Sequence, residues 1–348
     1  MNTKIDFVLP WVDGNDILWQ KRRRLYSTNK ASIDENSNAR FRDFDTLKYV
    51  LRSIEKNCPW YNKIFLITEG HYPNWLNLTN PKIRLVTHEE LYFNKEDLPT
   101  FSSSSIEMNL ANLPDLSNKF IYLNDDMIIF KQLPIERFFI KNLPVDFLCH
   151  GFLPRGRLFS LLKEIDTWIN SINNNISLIN KIRSPNQLNN HYLFNKSYGL
   201  TGNILNFLLK YFIKKYFWFE HWHHPQPYIK EEILKVHAQY EKEMSICSKN
   251  KFRSNNDLTQ YLYRYWNLTA GQFYPQKYND GLVKNIESTF SLERMIKEIK
   301  LKNFNFICFN DSTALSDKEF FSVKNKLILF LDENFPVPAS FEKSRDQY

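Results

Sequence analysis

The stretch Lys119-Phe120-Ile121-Tyr122-Leu123-Asn124-Asp125-Asp126 decides the fold. A short apolar run closed by adjacent carboxylates reads as a buried strand delivering two acids to the open end of a sheet. Open α/β sheets bind ligands there, outside the carboxyl ends of their strands. Two hard oxygen ligands on a rigid element suit Mg²⁺ or Mn²⁺, held together with a substrate's phosphates. Taken alone, the same residues also read as an Asn-Asp turn followed by a helix cap.

Working outward, residues 5–9 read as a strand that ends at Pro10-Trp11-Val12-Asp13-Gly14-Asn15-Asp16. Residues 45–57 read as a helix, with Leu47, Leu51 and Ile54 on one face and Asp43 or Asp45 available as its cap. Residues 63–68 and 83–87 are further predicted strands, and a helix is predicted within 104–113. Strands spaced by helices argue for an α/β fold with a mostly parallel sheet. From about 154 to 219 the sequence turns Asn- and Lys-rich and mostly helical, as an insertion would. Helices are expected over 228–244 and over 258–266, the latter capped by Asp257. A strand is expected over 304–309, closing with Asn310-Asp311, and 327–332 is a last apolar segment.

The chain has 348 residues, enough for one large α/β domain or two smaller ones. Its formal net charge of +8 favours anionic partners such as nucleotide phosphates, a phosphorylated polymer or an anionic membrane surface. Without a long Lys/Arg tract, a zinc-finger spacing or an RNP-type pattern, nucleic acid is not the expected partner. Cys58, Cys149, Cys247 and Cys308 are scattered, with no CxxC, and read as reduced, packed thiols. The N-terminus enters the first strand without a basic flank and long apolar core, so a signal peptide is not expected. No uncharged run reaches the roughly 18 residues of a spanning helix. The nearest is 204–219, which carries Lys210, Lys214 and Lys215. It reads either as a basic helix on a membrane surface or as a helix packed on the core with its lysines snorkelling outward. The packed form is the expectation, with the inner face of the cytoplasmic membrane as the alternative contact for a cytoplasmic protein.

Three strand ends present acids: Asp13 and Asp16, Asp125 and Asp126, and Asp311. Such an acid binds metal, orients a ribose, acts as a base, or merely caps a turn. Arg40, Arg42 and Arg52 surround the first crossover helix, where a planar guanidinium suits phosphate or a surface ion pair. Arg253 precedes a predicted helix, where guanidinium and helix amides can surround one anion. His221, His223 and His224 lack the Cys or HExxH context of a zinc site. One working histidine, able to take a hydroxyl's proton near neutral pH, is the better reading, against a structural cluster. Ser102 and Ser103, in the serine run that opens a helix, offer hydroxyls to phosphate or sugar, or act only as a cap.

In these segments the chain resembles the Stealth family of hexose-1-phosphate transferases. The family's four blocks stand in order. They are IDFVLPWVDGND at the start; then RFRDFDTLKYVLRSIEKNCPW, IFLITEGHYPNWLN, RLVTHEELY, LPTFSSSSIEMNL and KFIYLNDDM; then HHPQP through KFRSNNDLTQYLY; and FICFND with FPVPASFEK. The resemblance implies a Rossmann-like, glycosyltransferase-type core over 1–150, a helical insertion over 151–219, and a segment over 220–348 that completes the site. It implies a divalent cation, Mg²⁺ or Mn²⁺, a UDP-sugar donor and a glycan acceptor whose hydroxyl attacks the β-phosphorus so that UMP leaves. By the same resemblance Asp125 or Asp126 binds the cation, and Asp13, Gly14 and Asp16 shape the nucleotide pocket. Arg40, Asp43 and Arg52 support the donor side, with Asn124, Ser102 and Ser103 beside it. Arg253 contacts phosphate and Asp257 holds its turn, while Asn310 and Asp311 close the site. His223 is the base, as the histidine of an H-x-P pattern, although His224 is its immediate neighbour. The chain ends soon after the fourth block, an expectation against processive polymerisation. Two rivals share these features: a metal-dependent glycosyltransferase releasing UDP, and a non-catalytic polysaccharide-binding protein.

Overall fold

In the computed structural model, which describes residues 4–27, 42–151, 167–312 and 314–343, the central strand is β1, Ile5–Pro10. Its side chains alternate between two apolar layers: Ile5, Phe7 and Leu9 enter one core and Val8 the other. A strand covered on both faces has no polar side, which is why this run is nearly all apolar. β2 (Ile64–Thr68) and β4 (Lys119–Tyr122) pair with β1 in parallel, and β3 (Ile83–Thr87) pairs in parallel with β2. β8 (Gln226–Ile229) closes the far edge antiparallel to β4, giving the order β3-β2-β1-β4-β8. The fold is therefore α/β with a mostly parallel sheet, as the sequence predicts. The order reverses between β1 and β4, the position where open α/β sheets leave a crevice.

The chain then leaves this sheet within a few residues. β5 (Met127–Ile129) belongs to a second sheet with β10 (Gly281–Ile286) and β11 (Phe306–Asp311), in the order β10-β11-β5. Asp125 and Asp126 occupy the link between β4 and β5, so both sheets fix their backbone. A third small sheet combines β6 (Phe139–Ile140), β7 (Leu143–Asp146) and β9 (Tyr274–Pro275).

Several predicted elements are corrected. The expected helix over 228–244 is strand β8 followed by two helices, Lys230–Gln239 and Glu241–Ser248. Pro225 and Pro227 disfavour helix there, and the open edge of β4 takes an extended partner; proline is tolerated on such an edge strand. The helix expected over 104–113 is a short turn of helix, Ser103–Glu107, and a separate 3₁₀ turn, Leu110–Asn112. The first crossover helix runs Leu47–Asn57 with Thr46 at its cap position and no side-chain cap bond. Asp45 instead takes a left-handed φ of 58°, with its N–H donating to Asp43 Oδ1 at 2.6 Å. The apolar segment 327–332 is the interior of the helix Asp317–Asn334. Between β7 and β8 lie the helices Thr167–Ile182 and Gly199–Leu208, the latter running into a π-helical turn, Leu209–Ile213. Much of the apolar surface of that last pair is exposed, against the expectation that it packs on the core.

Arg264 ties the histidine segment to this frame. On the helix Tyr261–Ala270 it is buried, and its Nε and Nη2 donate to Asp146 at 2.9 and 2.8 Å. Its Nη1 donates to the Glu220 carbonyl at 2.9 Å, immediately before His221. Removing one partner of a buried, hydrogen-bonded ion pair leaves the other charge stranded. Arg264→Met is expected to cost about 3–5 kcal/mol of stability, measured from urea unfolding. A loss under about 1 kcal/mol would mean that Asp146 regains water and that the pair is not what fixes this corner.

Candidate active site

A cleft of about 780 Å³ opens at the β1/β4 crevice. The ends of four parallel strands reach it: Trp11 after β1, His71 after β2, His88 after β3 and Asn124, Asp125 and Asp126 after β4. The opposite wall comes from His221, His223 and His224, from Arg253, and from Asn310 and Asp311 on β11.

His223 Nε2 lies 3.6 Å from Asp126 Oδ1, although 97 positions separate the two residues in the chain. That is ion-pair range and longer than a hydrogen bond. Asp126 Oδ1 is buried without a hydrogen-bond partner. Cys308 completes a cluster: one ligand atom from each of Asp126, His223 and Cys308 lies within 4.8 Å of the others. Burial disfavours charge on all three, with different outcomes. For Asp126 burial is outweighed by His223 and by the Cys308 thiol, which hold its carboxyl below the usual range. For His223 burial is outweighed by Asp126 and Glu107, which raise the imidazole. Burial and the Asp126 charge push the Cys308 thiol far up, so it stays neutral. Asp125 is raised well above an ordinary carboxyl by burial first, then by Asp126 and Asp43.

Repulsion among closely spaced acids, with one buried carboxylate oxygen lacking a donor, is what a bound cation relieves. The carboxylates of Asp125 and Asp126 fit a hard divalent ion. The nitrogen and sulfur of His223 and Cys308 suit softer metals and are not needed for one.

Arg253 Nη2 donates to the Ser103 hydroxyl at 3.1 Å on the cleft wall. Asp257 holds the turn beneath it, accepting from the Ser254 N–H at 2.9 Å and the Asn250 amide at 2.6 Å. It does not cap a helix at 258: that helix begins at Tyr261. Asn310 lines the cleft and accepts from the Cys308 thiol at 3.0 Å. Asp311 lines it too, but both its oxygens are taken by Arg42 Nε and Nη2 at 2.9 Å, which locks β11 to the segment before the first crossover helix. His224 is not an alternative of equal standing. Burial and then Arg137 push its imidazole down to about 3, and its Nδ1 faces the Gln226 amide at 2.9 Å.

Other predicted residues sit elsewhere. Asp16 caps the helix Ile17–Tyr26, accepting from Leu18 and Trp19 N–H at 2.7 and 3.0 Å, and does not line the cleft. Asp13 accepts from the Asn15 N–H at 2.8 Å, while its own N–H donates to His71 Nε2 at 2.9 Å. Gly14 and Asp43 line a smaller neighbouring cavity of about 460 Å³. Arg52 is turned away: it donates to both oxygens of Glu342 at 2.6 and 2.8 Å and to the Phe335 carbonyl at 2.8 Å. Its charge fastens the C-terminal segment, so the expectation that it supports a donor is corrected. Ser102 is buried with its hydroxyl unpartnered, off the cleft surface. Arg40 lies outside the described residues.

Among the residues the sequence reading passes over are Cys308, buried behind the cleft beside Asp126, and Glu107 on its wall. Cys308 reads as a packed thiol, yet side chains two apart on a strand share a face, so the choice of Asn310 already implied it. Glu107 lies inside the quoted serine segment. Its Oε1 accepts from the Tyr122 hydroxyl at 3.0 Å and its Oε2 from the Gln260 N–H at 2.7 Å. Burial pushes its carboxyl from 4.5 up to about 7, against those bonds and the pull of Arg253. The folded protein then keeps a proton that the unfolded chain has already lost. The contribution is therefore complete below about pH 4.5 and is lost as pH rises through about 7. Glu107→Gln, with the Tyr122 hydroxyl turned to accept, should flatten that decline. Melting temperatures at about pH 5 and about pH 8 test it; an unchanged gap between them would place the titration in another group.

Against this geometry, the family model described as Stealth protein CR1, conserved region 1, matches residues 3–31, and that described as Stealth protein CR2, conserved region 2, matches 40–146. The capsular polysaccharide phosphotransferase WcwK of Streptococcus pneumoniae is 38% identical over 349 residues, covering 98% of each chain. The exopolysaccharide phosphotransferase cps2G of Lactiplantibacillus plantarum is 32% identical, covering 97% of this chain and 96% of its own. The solved galactosyltransferase LgtC, in complex with donor and acceptor sugar analogues, aligns over 92% of this chain and 95% of its own at 11% identity and a TM-score of 0.40.

Proposed function

The chain belongs to the Stealth family, as a sugar-phosphate transferase of polysaccharide synthesis, and from that premise we propose that it transfers a hexose-1-phosphate from a UDP-sugar to a glycan hydroxyl. The sugar of choice is an N-acetylhexosamine. The acceptor oxygen bonds to the donor's β-phosphorus, and the bond from that phosphorus to the oxygen bridging the α-phosphorus breaks. UMP leaves with the electron pair, the sugar C1–O bond stays intact, and the product is a phosphodiester. Transfer of this kind is mostly positioning plus neutralisation of oxygen charge.

The observation that carries the reading is the approach of His223 to Asp126 at the β1/β4 crevice. With Nε2 turned to the Asp126 carboxylate, Nδ1 of His223 takes the acceptor's proton, and Asp126 stabilises the imidazolium that results. Arg253, held by the Asp257 turn, reaches the donor phosphates. A divalent cation, Mg²⁺ or Mn²⁺, held by Asp125 and Asp126, would supply the remaining neutralisation of the diphosphate. Asp13, with Gly14 and Asp43 of the neighbouring cavity, serves the nucleotide side, and Asn124, Asn310 and Asp311 serve the sugar side. The donor is an intracellular metabolite class, which sets the reaction in the cytoplasm. A cleft of about 780 Å³ is ample for a nucleotide sugar with part of an acceptor.

The test is nucleotide release. Protein is incubated with Mg²⁺ or Mn²⁺, a panel of UDP-sugars and candidate glycans, and UMP and UDP are quantified. Acceptor-dependent UMP is expected. UDP in its place would mean cleavage of the C1–O bond and glycosyl transfer.

A further inference from the structure

The helix Gly199–Leu208 and the π-helical turn Leu209–Ile213 project a cluster of large apolar side chains into solvent. Leu200 is 78% exposed, Phe212 69%, Ile204 50%, Tyr211 49% and Phe207 48%. A soluble surface scatters such residues singly, and a contiguous group on one element marks a partner surface. Phe217, 48% exposed, follows just beyond the turn.

The charge around this cluster identifies the partner. Between Thr167 and Phe219 the sequence holds no Asp or Glu, but six basic residues: Lys181, Arg183, Lys196, Lys210, Lys214 and Lys215. Three of these, Lys210, Lys214 and Lys215, lie on or just beyond the π turn, whereas Lys181 faces Glu243 at 3.6 Å and Arg183 stacks on the Trp266 ring. Lys210 is held at the foot of the helix, donating to the Leu188 carbonyl and Asn190 Oδ1 at 2.8 Å. Lys214, at a left-handed φ of 58°, ends the π turn, and with Lys215 it is exposed beside the aromatic side chains. A partner protein of ordinary composition would need apolar and acidic surface together. A bilayer with anionic headgroups provides both across its interface: acyl chain for Leu, Ile and Phe, headgroup depth for Tyr, and negative potential for lysine. No helix among the described residues is long and apolar enough to cross a membrane, so the contact is one of lying on the surface.

We propose that residues 199–217 form a docking surface for an anionic lipid bilayer. The patch is coupled to the cleft. The chain runs from it directly to the histidine segment, and the Trp218 ring lies 5.4 Å from that of His221, a cleft residue. Docking thus brings the cleft wall to the lipid boundary. If the transferase reading holds, that position serves a glycan acceptor anchored in the bilayer; the docking itself does not depend on that reading.

The experiment is co-sedimentation of the full chain with vesicles of phosphatidylglycerol and phosphatidylcholine, and with phosphatidylcholine alone. Binding is expected only to the former and should fall with added salt. The Leu200→Glu/Phe212→Glu variant and, separately, the Lys214→Glu/Lys215→Glu variant should each weaken it by roughly tenfold or more. Both keep surface positions, so melting temperature and UMP release with a soluble acceptor should be unchanged. No binding by the parent chain, equal binding to neutral vesicles, or equal binding by both variants would overturn the proposal. So would a lipid-free dimer that the Leu200→Glu/Phe212→Glu variant dissolves, because the patch would then be a self-association surface. Absence of UMP release alongside intact vesicle binding would sink only the transferase reading.

Discussion

Asp126→Ala is expected to abolish UMP release, by on the order of 10³-fold or more, without unfolding the protein. The carboxylate carries three tasks: it contacts His223, it adds to the charge that raises Asp125, and it offers a buried oxygen with no hydrogen-bond donor. Of these, only the contact with His223 adds to the fold. The backbone of Asp126 does so too, through its carbonyl, which accepts from the Phe309 N–H at 3.4 Å, and alanine keeps that bond. Alanine frees Asp125 of its nearest like charge but also removes the partner that raises His223, and the lowered carboxyl of Asp126 means the fold favours its charge, so the melting temperature should fall modestly while the protein stays folded. Asp126→Asn should lose nearly as much activity, because shape is retained and charge is not. A contrasting variant is Asp16→Ala, which removes a helix cap and should cost about 1 kcal/mol of stability with activity largely kept. Initial rates beside thermal melts decide the matter. An Asp126→Ala protein retaining a tenth or more of the parent rate would remove Asp126 from the chemistry.

The second large effect is expected at His223. Its replacement by alanine should lower kcat by about 10²–10⁴-fold, the range for losing a general base, with a much smaller change in the KM for the donor. The neighbouring histidine provides the control. His224 is part-buried, neutral and turned to the Gln226 amide. His224→Ala should act mainly on stability, through loss of packing against Phe306, whose ring centroid lies 5.6 Å away. Added imidazole should restore part of the rate to His223→Ala and none to Asp126→Ala. Equal losses of kcat in the two histidine variants, or a His223→Ala defect confined to KM, would make the histidine segment a binding element and leave the base elsewhere.

The parallel core was legible because buried parallel strands cannot hide. Runs such as 5–9, 64–67 and 119–123 are short, mostly apolar and bounded by turn residues, which suits a strand covered on both faces. Boundaries and edges were less legible. The helix expected from 228 overlaps the last two residues of β8, because so short a stretch carries no periodicity of its own and its pairing depends on β4 exposing an edge. The surface helix near 200–213 has apolar residues all round. Sequence cannot tell burial from exposure in such a helix, since that depends on what other elements leave uncovered.

The site divides in the same way. Acids that follow strands were found from sequence because strand order in an α/β sheet sends every parallel strand's carboxyl end to one side. Asp125 and Asp126 belong to that class; Arg253 and the cluster His221, His223 and His224 are read from residue chemistry, and the family resemblance selects His223 within the cluster. Arg52 and Asp16 have suitable chemistry and suitable positions in the chain, but the fold spends them on the Glu342 ion pair and on a helix cap. Cys308 came to Asp126 only because β11 pairs antiparallel with β5 and places Met127 opposite it. The sequence by itself determined the chemical classes available and the sheet that would gather them. Only the tertiary structure decided which side chains still face the cleft, because a donor or acceptor satisfied inside the fold is no longer available to a substrate, and for Arg52 and Asp311 the satisfying partner is hundreds of residues away.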